Sequence, residues 1–239
     1  MISARFRRSV RILTLSSLLS LVACGSEDPG ASAGAGGEGP GATPTGPLLP
    51  WAVGNSWTYR VTEDGMVSDK VTTIGDLEPV GGEGVNAELS AYKVVTTKKN
   101  GQDHTDSWQA PDGDRVLRYR EQAFSASTGE LELDEYWDPY KLHVDGSAEH
   151  LVEGSSWLEE YEETKFPVGD TESTSTRRDR WSVKSLSESV TVPAGTFDAV
   201  IFQKVGAGSL KTYWYVPGVG KVKETGGQTE ELMEYELVQ

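Results

Sequence analysis

Cysteine is nearly absent from this chain of 239 residues: Cys24 is the only one, so no intrachain disulfide can form. Histidine is almost as scarce. His104, His143 and His150 stand at no spacing that would bring two imidazoles to one metal, and no second thiol is there to join them. Positive charge is also in short supply, with 22 Lys and Arg against 37 Asp and Glu and a formal charge of −15. Nucleic acid is thereby excluded as a partner, because phosphate binding needs a basic patch that releases counterions. No apolar run reaches the ~20 residues of a membrane-spanning helix. There is no Gly-x-Ser-x-Gly elbow, and no Gly-rich loop lies between a strand and a helix, so neither that type of serine hydrolase nor a phosphate cradle is expected. Carboxylates are plentiful, as in Asp112 with Asp114 and Asp134-Glu135 with Asp138, but their abundance reads as solvated charge at turns rather than as a glycosidase pair or a calcium site. No catalytic residue, metal or cofactor is expected.

What is present begins with an export signal. Arg5, Arg7, Arg8 and Arg11 precede any acidic residue, and Ile12 to Ala23 follows as an apolar stretch too short to span a bilayer. Leu21-Val22-Ala23-Cys24 resembles the lipobox of bacterial lipoproteins. The resemblance implies removal of residues 1–23 and lipidation of Cys24 by a thioether-linked diacylglycerol and an amide-linked acyl chain such as palmitate. The membrane is then a partner through that lipid. Gly25 stands where Asp would signal inner-membrane retention, which implies an envelope location at the outer membrane. Residues 24–47 carry almost no apolar side chain larger than Ala and are expected to form a tether with a span of about 25–30 Å. Without the four signal arginines the charge falls to −19, from 18 basic and 37 acidic side chains. So acidic a surface is repelled by anionic lipid and favours a monomer.

From Leu48 the composition changes, and all seven Trp lie between Trp51 and Trp214. Trp57, Tyr59 and Val61 alternate with polar residues, as do Leu117 and Tyr119, then Phe197, Ala199 and Ile201, then Met233, Tyr235 and Leu237. Turn signals such as Pro111-Asp112-Gly113, Pro193-Ala194-Gly195 and Pro217-Gly218 punctuate these runs. Only Leu131 to His143 shows an approximate helical stripe, and Pro139 interrupts it. Residues 48–239 are therefore expected to be a mainly β globular domain.

A duplication is legible inside it. Gly54-Asn55-Ser56-Trp57 recurs as Gly154-Ser155-Ser156-Trp157, an offset of 100, while Val94, Val95, Lys98, Trp108, Pro111 and Val116 match Val200, Ile201, Lys204, Trp214, Pro217 and Val222 at an offset of 106. Two similar units, at about 51–125 and 151–239, would join into one curved antiparallel sheet or a partly open barrel.

The stretches Trp51 to Tyr59, Val192 to Phe197 and Tyr213 to Lys223 resemble uncharacterised exported-protein and lipoprotein families of bacteria. Those families are similar to the LolA/LolB-like group, whose curved sheets handle lipoproteins or lipids, although no covering helix is legible here. No site transfers with that resemblance; the residues themselves leave, as the first expectation, a non-catalytic binding or structural module with a hydrophobic ligand, a glycan or an envelope protein as partner. Trp108, Trp137, Trp181 and Trp214 are the aromatic residues that would face it. The competing expectation is a hydrolase acting on cell-envelope material.

Overall fold

The computed structural model describes residues 46–98, 101 and 103–238. The signal segment, the lipobox residues Leu21, Val22, Ala23 and Cys24, and nearly all of the expected tether lie outside the described residues. Twelve strands follow one another: β1 (Ser56–Glu63), β2 (Met66–Pro79), β3 (Ser90–Lys98), β4 (Asp103–Asp112), β5 (Arg115–Phe124), β6 (Leu131–Asp145), β7 (Ser156–Pro167), β8 (Ser173–Val192), β9 (Gly195–Gly206), β10 (Ser209–Val216), β11 (Gly220–Thr225) and β12 (Thr229–Glu236). Each pairs antiparallel with the next, and β1 pairs with β12, so the sheet closes into a barrel with no free edge. The mainly β antiparallel expectation holds, in its fully closed form.

Alternation explains the strands. Trp57, Tyr59 and Val61 are buried on β1, while Thr58, Arg60 and Thr62 between them are partly exposed. Residues 131–143, whose helical stripe is weak, belong to β6. Pro139 supplies no N–H for a helix, and the apolar Leu133, Tyr136, Leu142 and Val144 pair or pack within the sheet instead. No helix occurs among the described residues.

The barrel has two unlike ends. The turns from β1 to β2, β3 to β4, and so on to β11 to β12 gather at one end, called here the hairpin end. At the other end the chain comes in before β1, and Leu48, Leu49 and Trp51 pack into the lumen. The Gly218 N–H donates to the Pro47 carbonyl at 2.9 Å, and Asn55 Nδ2 donates to the Pro50 carbonyl at 3.2 Å, fixing this plug. Above it lie two apolar clusters, one around Trp181, Phe202 and Tyr215 and the other around Trp57, Ile74, Val216 and Leu232. Gly220 is required there: a Cβ on it would meet the Trp57 indole nitrogen at 2.8 Å.

The outer face carries Glu160, Glu162, Arg178, Arg180, Glu234 and Glu236, all exposed. A membrane-spanning barrel presents an apolar band about 25 Å tall on that face, and on β7, β8 and β12 these charges interrupt any such band.

Of the residues matched in the expected duplication, these fall on strands six apart: Trp57 on β1 and Trp157 on β7, Val94 on β3 and Val200 on β9, Trp108 on β4 and Trp214 on β10, Val116 on β5 and Val222 on β11. The backbone bonds also correspond. Gly54 N–H donates to the Ile74 carbonyl at 2.8 Å and Ile74 N–H to the Asn55 carbonyl at 2.9 Å; Gly154 with Val183, and Val183 with Ser155, repeat the pair at 3.0 and 3.1 Å.

Candidate functional site

Near the hairpin end the lumen is unfilled, leaving a chamber of about 500 Å³ that opens where Ala207 and Ser209 are exposed. Its walls come from residues that continue the inward-facing rows of the apolar clusters. On β3 the row runs Val94, Thr96, Lys98; on β9 it runs Phe202, Lys204, Gly206; on β12, Leu232 gives way to Glu230. Each of these strands thus changes from apolar to polar along a single face.

The rings come first. Trp181, Tyr59 and Tyr161 are buried, and lysine ammonium groups sit over them: Lys204 lies 5.1 Å from the Trp181 centroid, Lys221 and Lys70 lie 5.2 and 5.7 Å from Tyr59, and Lys141 lies 5.8 Å from Tyr161. Glu159 holds the floor rigid, accepting from Trp181 Nε1 at 2.8 Å and from the Leu142 N–H. Burial raises its pKa, although both of those bonds pull the other way.

Charges fill the next layer as linked pairs. Lys70 donates to Glu230 at 2.9 Å, Lys221 bridges Glu230 at 2.8 Å and Glu224, and Lys211 reaches Glu224 at 2.8 Å. A β-bulge makes this possible: the register opposite Trp214 and Tyr215 skips Val222, so Lys221 and Glu224 both face the lumen although three residues apart. Across the chamber Glu163 meets Arg177 at 2.7 Å, Lys165 at 3.5 Å and Lys141 at 3.8 Å. Asp179 accepts from Lys204 at 2.9 Å and from the Tyr161 hydroxyl at 3.1 Å, and occupies space that any side chain on Gly206 would take. Arg118 reaches Glu121 at 3.0 Å and His143 Nδ1 at 3.1 Å.

Electrostatics within the chamber are uneven. Burial and the neighbouring Lys221 push Lys70 down to about 8; burial with Arg118 and Lys204 does the same to Lys141. Burial also opposes the charge of Lys221, but Glu224 and Glu230 outweigh it and hold its pKa well above the usual lysine range. Glu224 is driven down to about 2 and Glu230 lower still, because Lys221 and Lys70 outweigh the cost of burial. His143 is half-buried beside Arg118, and desolvation with that cation holds its pKa well below the usual histidine range, so the ring is neutral.

The four expected tryptophans do not share one surface. Trp181 lines the chamber. Trp137 underlies Lys141, with its ring 4.7 Å from the ammonium, and borders a separate outer cleft of about 180 Å³ with Tyr136 and Phe166. Trp108 packs with Val80 and Ala91 and donates to Glu78 at 2.9 Å, and Trp214 packs against the Trp57 cluster. Sequence reasoning misses the chamber lysines because each lies on a different strand. The readable signal is the shared switch from apolar to polar along the inward rows. Among the described residues no three His, Cys, Asp or Glu side chains are grouped to hold a metal ion.

The fold and site together define a closed twelve-stranded antiparallel barrel with an apolar plug at one end and a charged chamber at the other. No protein-family model matches the chain, and no curated protein matches it. Two solved structures are similar in outline. One, described as a candidate exported protein with a YmcC-like fold from Bacteroides fragilis, has 13% identity and a TM-score of 0.48 over 79% of this chain and 98% of its own. The other, a candidate lipoprotein from Parabacteroides distasonis, has 15% identity and a TM-score of 0.47 over 80% of this chain and 99% of its own. Likeness of that size carries no functional inference.

Proposed function

We propose that this chain is an outer-membrane lipoprotein of the cell envelope, anchored through Cys24, whose barrel is a non-catalytic binding module. The observation that carries the binding reading is the chamber itself, about 500 Å³ of lumen left unfilled in a barrel otherwise packed with rings. That volume lies within the ~300–1,000 Å³ range of small-molecule sites. The described chain enters the barrel at the plugged end, opposite the mouth. Lipid carriage, which the LolA/LolB resemblance implies, is disfavoured by walls of ammonium and carboxylate groups. Hydrolysis is disfavoured as well: Glu163, Asp179, Glu224 and Glu230 each neutralise a cation, and the first and last two are held below the usual carboxylate range, leaving them poor proton donors near neutral pH. We propose further that the strand correspondence reflects a duplicated six-strand unit.

The test is native mass spectrometry of the full chain, extracted in mild detergent from its own envelope. The expected result is a small molecule retained at one copy per chain. Chain that is consistently empty, and whose unfolding no envelope fraction delays, overturns the binding reading.

A further inference from the structure

We propose that the chamber binds a small polyanion, a compact molecule bearing several phosphate, sulfate or carboxylate groups, and this rests on the binding reading above. The argument starts from where the charge is. After the signal arginines the chain holds 18 basic and 37 acidic side chains. Nine of those 18 bases line the chamber, against only five of the 37 acids, counted among the described residues. An acidic protein has therefore placed half of its positive charge around one cavity, leaving that cavity an excess of four.

Folding alone does not call for this arrangement. A buried charge needs one partner, and the pairs already present use up all five carboxylates. Lys141 and Arg177 share Glu163 within the chamber with Lys165, which also meets Glu135 at 2.5 Å beside it, and Lys70, Lys211 and Lys221 share Glu224 and Glu230. Sharing leaves ammonium and guanidinium N–H groups for a guest. Burial first, and then the neighbouring cations Lys221, Arg118 and Lys204, depress the pKa values of Lys70 and Lys141, and an anion among them would oppose that shift. Thr96, Thr105, Ser209 and Gln228 add neutral hydrogen-bonding groups to the same wall. The acidic exterior repels anions, so only a molecule small enough to enter the mouth meets the favourable field.

Isothermal titration of the full chain in detergent micelles tests this with inositol hexakisphosphate, uncharged myo-inositol and inorganic phosphate as probes. The hexakisphosphate should bind once per chain, inorganic phosphate much more weakly, and myo-inositol not at all. The triple variant Lys98→Gln, Arg177→Gln, Lys211→Gln lowers the excess from four to one. Glu163 keeps Lys141 and Lys165 and Glu224 keeps Lys221, so the fold survives it. Hydrogen bonds to charged groups make each lost cation weaken binding by about tenfold, so the triple variant should bind at least a hundredfold more weakly. Arg178→Gln, on the exposed outer face, should bind as the parent does. Equal loss in Arg178→Gln and the triple variant means the probe binds outside, and overturns the proposal. So does tight binding of myo-inositol. If the polyanion fails to bind while native mass spectrometry finds a neutral or apolar guest, the charge assignment falls and the binding module stands; if both are empty, both fall.

Discussion

The two ends of the lumen are built from the same strands and obey opposite rules. Toward the plug, inward residues are rings and branched chains in mutual contact: Phe202 is fully buried, with its ring centroid 6.4 Å from both Trp157 and Trp181 and 6.1 Å from Tyr215. Toward the hairpins, the same rows carry ammonium and carboxylate groups around empty space. The apolar end is where burial stabilises the fold, since apolar surface removed from water contributes about 25 cal/mol per Å². Charges taken into a lumen cost several kcal/mol each before pairing offsets them, so the hairpin end is retained for something other than stability.

Phe202→Ala should be the most damaging single change, because it empties the centre of the ring cluster. The expected loss is about 3–5 kcal/mol, measured by urea unfolding. A loss below about 1 kcal/mol would mean the rings do not form the stabilising end. Glu230→Gln comes next. Glu230 is fully buried between Lys70 and Lys221, and removing its charge leaves two ammonium groups with Glu224 as their remaining carboxylate. We expect a loss of about 3 kcal/mol, in the range for breaking a buried pair. An unchanged unfolding midpoint would show that the pair is solvated, and the contrast between the ends would weaken.

How far the sequence reveals this contrast depends on the residue. Trp57, Tyr59 and Val61 announce a strand because their neighbours are polar, and Pro217-Gly218 announces a turn, so the sheet is legible. Closure is not, because it depends on β1 meeting β12, a pairing of Trp57 with Tyr235 that no local pattern encodes. The chamber is hidden for a different reason. Beyond Val94 on β3 the lumen-facing residues are Thr96 and Lys98, no more apolar than Thr97 between them, so alternation fades where the site begins. A charged residue facing a lumen and one facing bulk water look alike until the barrel closes. Trp181 stands out by its ring, but Lys70, Lys141, Lys204 and Lys221 carry no individual mark.

Alkali should stabilise the empty protein. Lys70 is faced by Tyr59 on β1, Lys221 and Glu224 on β11 and Glu230 on β12; Lys141 is faced by Arg118 on β5, Glu135 on its own strand, Glu163 on β7 and Lys204 on β9. Both are depressed from 10.5 to about 8. Between those values the unfolded chain holds protons that the folded chain has released, so stability rises with pH across that window. Each such proton contributes up to about 1.4 kcal/mol per pH unit, so the two lysines together should add on the order of 2 kcal/mol between pH 7.5 and 9.0. Lys221 stays protonated throughout, and burial raises Tyr59, Tyr213 and Tyr215, so their ionisation lies above the window. Urea midpoints at pH 7.5, 8.25 and 9.0 check this, and a flat or falling series contradicts it.

Lys70→Met has the smallest expected effect and is the sharpest test of the contrast. Its side chain is 15% exposed, lies among like charges, and shares Glu230 with Lys221 at 2.8 Å, so Glu230 keeps a partner when Lys70 is lost. Methionine fills a similar volume, can lie against the Tyr59 ring, and brings no charge to desolvate. Stability at pH 7.5 should change by less than about 1 kcal/mol, in either direction, compared with about 3 for Glu230→Gln a few ångströms away. The alkaline rise should fall by about half, because one of the two titrating lysines is gone. A loss as large as that of Glu230→Gln would show that every cation of the hairpin end is needed for folding, and that its positive excess is structural.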